Sequence, residues 1–128
     1  MIENLTSEQL AGILETLPVD ISFVDEKDTV RFWNKHDTRV FKRPTTALGK
    51  TVQNCHPPAS VDMVNQVISA LRSGEKDCEE FWIDSGGRKL YIRYLAVRDK
   101  GGEYLGTLEV NQDITDIKKI EDEKRMLK

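Results

Sequence analysis

Little in this chain marks an enzyme or a metalloprotein. Its two cysteines, Cys55 and Cys78, show no CxxC spacing, so a paired-thiol zinc or redox motif is absent. Two reduced thiols are the expectation for a chain without an export signal. Cys55 and His56 are adjacent, and the remaining His, Cys and acidic residues lack the spacing that four-donor zinc ligation needs. No glycine loop carries a phosphate-binding pattern. Ser60, Ser69 and Ser73 have no nucleophile elbow or base around them. Glu79 and Glu80, consecutive on a strand, point to opposite faces and cannot act as a pair. No apolar run approaches the roughly 20 residues needed to span a bilayer. Met1-Ile2-Glu3-Asn4 lacks the basic and apolar regions of a signal peptide. A cytoplasmic location, with no membrane partner, is expected. There is no excess of base either: 19 Lys and Arg stand against 22 Asp and Glu, for a net charge of −3. A nucleic-acid partner is not expected from that balance. Repeats and low-complexity segments are absent.

What the chain does have is a globular composition. It is 38% hydrophobic and 32% charged over 128 residues, enough for one domain with a core and too short for two ordinary ones. Thr6 with Gln9 three residues later fits a capping box. Leu10, Ile13, Leu14 and Leu17 then fall at i, i+3, i+4 and i+7, and Pro18 stops the helix. Residues 19–24 and 29–34 read as two strands joined by the polar turn Asp25-Glu26-Lys27-Asp28. Periodicity is poor from Asn34 to Pro58, where short helical pieces are expected at residues 36–41 and 45–48. Residues 59–72 form a clearer helix, with Val61, Val64, Val67, Ile68 and Leu71 on one face. Three strands follow, at residues 76–83, 89–98 and 103–112, separated by Asp84-Ser85-Gly86-Gly87 and Asp99-Lys100-Gly101-Gly102. Consecutive hairpins predict an antiparallel sheet with helices across one face.

The stretch from Gly101 to Thr115 carries most information, because it combines a turn, a strand and a helix start. With Asp113-Ile114-Thr115 it resembles the end of a PAS domain, where the last strand feeds an output helix. The order of elements over about residues 17–115 is similar to that family. So are Phe32-Trp33-Asn34 closing the first hairpin, Leu48-Gly49-Lys50, and His56-Pro57-Pro58 leading into the long helix. Asn54-Cys55-His56-Pro57-Pro58, Glu80-Phe81-Trp82-Ile83 and Glu109-Val110 resemble a branch found beside haemerythrin-like domains. The resemblance implies an α+β, PAS-like five-stranded antiparallel sheet with helices covering one face and flanking helices at both ends. It divides the chain into an N-terminal helix (1–17), a sensor domain (18–115) and an output or linker helix (116–128).

In such domains the sheet and short helices enclose a ligand pocket. If the register of the last strand matches, Glu109 and Asn111 line that pocket, with Tyr94 and, more peripherally, His56 and Trp82. A buried carboxylate at Glu109 would need a cation or donor, for which Arg31, Arg93 and Tyr94 are candidates. The alternative is that Leu108 and Val110 face the core while Glu109 is solvated. No ligand is identified by the residues: a small organic molecule fits the resemblance. Haem fits poorly, since the long helix has no His and only Met63 or His56 could ligate. Asn54-Cys55 resembles the photoreceptor Asn-Cys only in those two residues, because His-Pro-Pro follows, so flavin photochemistry is not expected. Asp113 and Thr115 are expected to anchor the output helix and transmit signal. The Leu10, Ile13, Leu14 and Leu17 stripe is expected to pack on the sheet or across a homodimer. Ile117, Ile120, Lys124 and Leu127 would begin a helix toward an effector. The function these expectations describe is a non-enzymatic sensory module that binds a small ligand and dimerises. A ligand-free interaction domain and a haem sensor are the alternatives.

Overall fold

A computed structural model describes residues 1–127. Helix α1 (Ser7–Thr16) precedes strands β1 (Asp20–Asp25) and β2 (Val30–Trp33). Two 3-10 turns, Thr45–Ala47 and Val52–Cys55, lead into helix α2 (Pro58–Ser73), followed by β3 (Cys78–Ser85), β4 (Arg88–Arg98) and β5 (Tyr104–Asp113). The strands form one antiparallel sheet in the order β2-β1-β5-β4-β3. The five-stranded PAS-like α+β architecture expected from the sequence is therefore present.

Local chemistry explains the elements. Thr6 and Gln9 cap α1 reciprocally, each side chain accepting from the other's backbone N–H. Pro58 occupies the first turn of α2, where its missing N–H costs nothing. Gly74, at φ +82°, closes that helix in the left-handed conformation. The Asp25 carboxylate accepts from the N–H groups of Lys27 and Thr29, which tightens the β1–β2 turn. Asp99 does the same for Gly101 and Glu103 between β4 and β5.

The sheet has two unlike faces. Alternation places Ser22, Val24, Thr107, Glu109 and Tyr94 toward α2. Ile21, Phe23, Leu108 and Val110 lie on the opposite face. Val30, Trp33, Ala47, Val52 and Ile68 make the buried cluster between α2 and the first hairpin. Among the described residues no helix is long and apolar enough to cross a membrane.

Two expected helices are different in the structure. Residues 36–41 form a turn rather than a helix, because Arg39 and Val40 are tied to β1 instead of to their own turn. Beyond Asp113 the described chain makes only one 3-10 turn, Ile117–Lys119. Ile117, Ile120 and Leu127 stay exposed there, and so short an apolar stripe, packed on nothing, cannot offset helix nucleation.

One glycine is fixed by close approach. A Cβ on Gly106, in the central strand at φ +154°, would lie 2.2 Å from the Val24 carbonyl oxygen and 2.6 Å from the Phe23 ring. Gly106→Ala should lower unfolding free energy by about 3 kcal/mol. Gly12→Ala, in α1 where a Cβ meets nothing, should raise it by about 0.5–1 kcal/mol if α1 unfolds with the domain. Urea denaturation of both variants measures the contrast, and an unchanged midpoint for Gly106→Ala would contradict this packing.

Candidate ligand pocket

A cavity lies between α2 and the inner sheet face. Val24, Val30, Val52, Val64, Val67 and Ile68 give it an apolar wall, while Ser22, Thr107, Tyr94, Glu109, Arg43 and His56 supply its polar groups. Its volume is about 40 Å³, room for about three or four waters at roughly 10–15 Å³ each.

Glu109 is the chemical centre. It sits in mid-β5 between Ser22 of β1 and Tyr94 of β4, with its side chain 15% exposed. Arg43 reaches it from the segment after β2, with Nη2 donating to Oε1 at 2.5 Å. Burial, then the Glu109 charge and hydrogen bonding to Glu109, push the Tyr94 phenol far above its ordinary range. Pairing with Arg43 is what lets a carboxylate persist in this setting. The cation was not among those singled out from the sequence. Arg31 lies at the surface near Asp25, and Arg93 stacks on Tyr91 on the outer face.

A polar frame delivers Arg43. Asn34, fully buried, accepts from Ile21 N at 2.7 Å and donates to the carbonyls of Leu14 (2.7 Å) and Val19 (3.2 Å). Arg39, 3% exposed, donates to the carbonyls of Ile21, Asn34 and Phe41 and to Ser22 Oγ. Asp20 accepts from Val40 N. Burial and the neighbouring Arg43 push the Arg39 guanidinium below its ordinary range. These bonds hold the irregular segment against the mouth of the sheet.

The expected residues are distributed unevenly. Glu109, Tyr94 and His56 meet in the cavity, with His56 Nδ1 2.9 Å from the Val52 carbonyl oxygen. The solvated alternative for Glu109 is corrected by its inward face. Trp82 is not in the pocket: it is 66% exposed on the outer face, because Phe81 takes the inward position on β3. Asn111 shares the face of Glu109 but borders a neighbouring recess with Asp20, Lys35 and Val40. Its side-chain oxygen and nitrogen are buried without a hydrogen-bond partner. Asp113 Oδ1 accepts from the Thr115 N–H (3.0 Å) and hydroxyl (2.5 Å), and these bonds hold the Asp113 carboxyl below the usual range. Thr115 Oγ1 in turn accepts from Lys89 N, so the motif fastens the chain exit to β4. On α1, Leu10, Leu14 and Leu17 are half-buried and Ile13 is 47% exposed, with Leu10 and Leu14 bordering a recess beside Phe32.

Comparison with known proteins agrees with this fold. A family model described as a PAS domain matches residues 10–115. A C-terminal domain from Streptococcus mutans superposes with a TM-score of 0.87 at 37% identity, covering 91% of each chain. The PAS domain of BvgS from Bordetella pertussis gives 0.62 at 21% identity, over 84% of this chain and 85% of that one. A PAS domain from Colwellia psychrerythraea gives 0.59 at 19%, over 85% and 97%. The last two are similar in fold. This chain belongs to the PAS-domain family, a family of sensory and signal-transduction modules.

Haem, carried by some PAS domains, does not fit the residues present. Met63 and His56 both border the cavity, yet its volume of about 40 Å³ falls far short of the roughly 300–1,000 Å³ of ligand sites.

The inward position of Tyr94 is measurable. Its raised pKa means the folded state keeps the phenolic proton. The stabilisation is complete below the unfolded value of about 10 and is lost as pH rises through the folded one. In an alkaline absorbance titration of the three tyrosines, Tyr94 should ionise last and together with unfolding. Tyr94→Phe should delete that phase, and ionisation of all three near pH 10 would disprove the burial.

Proposed function

We propose that this PAS domain is a sensory module that binds a small ligand in the cavity around Glu109 and associates with a second copy through α1. The observation that carries the ligand reading is a carboxylate, an arginine and a phenol held together in an apolar wall. A core built only for stability has little use for such a group, since well-packed hydrophobic residues serve as well or better. Glu109, Tyr94 and His56 would contact the ligand. Asn111, with both amide atoms unpaired, would meet a polar extension of it or an ordered water. Asp113 and Thr115 would carry the change into the chain that follows, as their bonds to β4 support.

The dimer reading rests on the α1 stripe. No residue of α1 is fully buried, so the apolar edge of Leu10 and Ile13 is available to a partner. The Streptococcus mutans relative is described as a C-terminal domain. A similar placement here would make α1 the link to whatever precedes it. A ligand-free interaction domain is the second reading, favoured by the small cavity.

Native and denaturing mass spectrometry of freshly purified protein, with a visible spectrum, separates the two. A mass lost on denaturation, and absent from Glu109→Gln, is expected for the sensor. Bare polypeptide mass from cells and lysates alike would favour the interaction domain. Ile13→Glu should convert the dimer to monomer in light scattering, with unfolding free energy within about 0.5 kcal/mol of the parent monomer. A parent that is monomeric at all concentrations would remove the dimer reading.

A further inference from the structure

Building on the ligand-pocket reading, we propose that the cavity takes a small organic cation, an ammonium or amidinium with a short apolar group, which replaces Arg43 as the counter-ion of Glu109. The two members of the buried pair are not equally fixed. Glu109 is held in the middle of the sheet, hydrogen-bonded through its strand to both neighbours. Its backbone cannot turn the side chain to the other face without breaking β5. Arg43 enters from an irregular segment, and among the described residues the main chain of Lys42 and Arg43 makes no backbone–backbone hydrogen bond. Arg43 lines both the cavity and an open groove beside Lys42 and Lys50. Its Nε is buried and unpaired, which leaves part of its desolvation uncompensated. Arg39 adds repulsion from the same wall. Of the two, the arginine is the less firmly anchored.

Charge then selects the ligand class. An incoming anion would pair with Arg43 and leave Glu109 buried without a counter-ion, which is strongly unfavourable. A neutral molecule would have to share about 40 Å³ with the intact pair. A cation can take over the carboxylate while Arg43 withdraws into the groove. The count of buried charges is then unchanged, and the volume of the arginine side chain passes to the ligand. Val24, Val67 and Ile68 would receive its hydrocarbon, and Ser22 and Thr107, which also line the cavity, could each use a second hydroxyl lone pair for its remaining N–H groups besides their bonds to Arg39 and Tyr104.

The test uses the whole chain and three matched probe sets. These are n-butylammonium and benzamidinium chlorides, 1-butanol and benzyl alcohol, and sodium butyrate and benzoate. NMR follows the methyl groups of Val24, Val67 and Ile68 together with the Arg43 Nε–H signal. The cations should shift the methyls saturably and move the Arg43 signal toward that of a solvated guanidinium. Glu109→Gln should abolish the response. Arg43→Gln, which removes the competing internal cation, should tighten cation binding by about tenfold or more. Preferential binding of the carboxylates, or an equal cation response in Glu109→Gln, would overturn the cation assignment while leaving a ligand pocket in place. Methyls untouched by all three sets would overturn both readings. Should Arg43→Gln fail to fold, the parent's Arg43 signal and Glu109→Gln still decide.

Discussion

The side chain of Asn34 is the constraint on which the rest of this structure depends. One amide, without exposure to water, closes the end of β1, takes the carbonyl of Leu14 at the end of α1, and takes that of Val19 in the connection between them. Three backbone groups, one at a buried and two at part-buried positions, are satisfied at one point. Replacing a node of this kind strands several groups at once, at about 1–3 kcal/mol each. It also fixes where the chain leaves β2. Arg39 extends the same frame by binding the carbonyls of Ile21 and Asn34, so the irregular segment is positioned by hydrogen bonds rather than by secondary structure.

That frame explains how a sheet of ordinary strands acquires a charged interior. Glu109 alone on the inner face would be strongly unfavourable, and removing one member of a buried pair typically costs roughly 3–5 kcal/mol. The pair is only as secure as the segment that carries Arg43, and that segment is tied at Arg39 and Val40 but not at Arg43 itself. A carboxylate set in mid-strand and a cation carried on a stretch without backbone bonds of its own are the asymmetry on which the proposed exchange rests. The cavity is small while they are together, and its chemistry changes when they part.

Along the chain, local signals were legible where periodicity and turn chemistry were strong. Thr6 with Gln9, the α2 stripe of Val64, Val67, Ile68 and Leu71, and the Gly86-Gly87 and Gly101-Gly102 turns each named an element that is present within a residue or two of its expected bounds. The order and spacing of the elements, with His56 to Pro58 and Asp113-Ile114-Thr115 among them, pointed to the family that the match over residues 10–115 shows. The C-terminal helix was misread because Ile117, Ile120 and Leu127 have helical spacing, while helix formation also needs a surface to pack on. Trp82 was misread because Phe81-Trp82 is an adjacent aromatic pair on a strand, only one of which can face inward.

The sequence by itself determined the five strands, the two main helices, the hairpin turns and the alternation that puts Glu109 and Asn111 on one face of β5, since these depend on spacings of a few residues. Tertiary structure alone decided that this face is the inner one, that β1 lies beside β5, and that the partner of Glu109 is Arg43 rather than Arg31 or Arg93. The physical reason is sequence distance. Arg43 and Glu109 are 66 residues apart, and Arg43 stands in a stretch without periodicity. Nothing in its neighbourhood signals a contact until the sheet has closed around it.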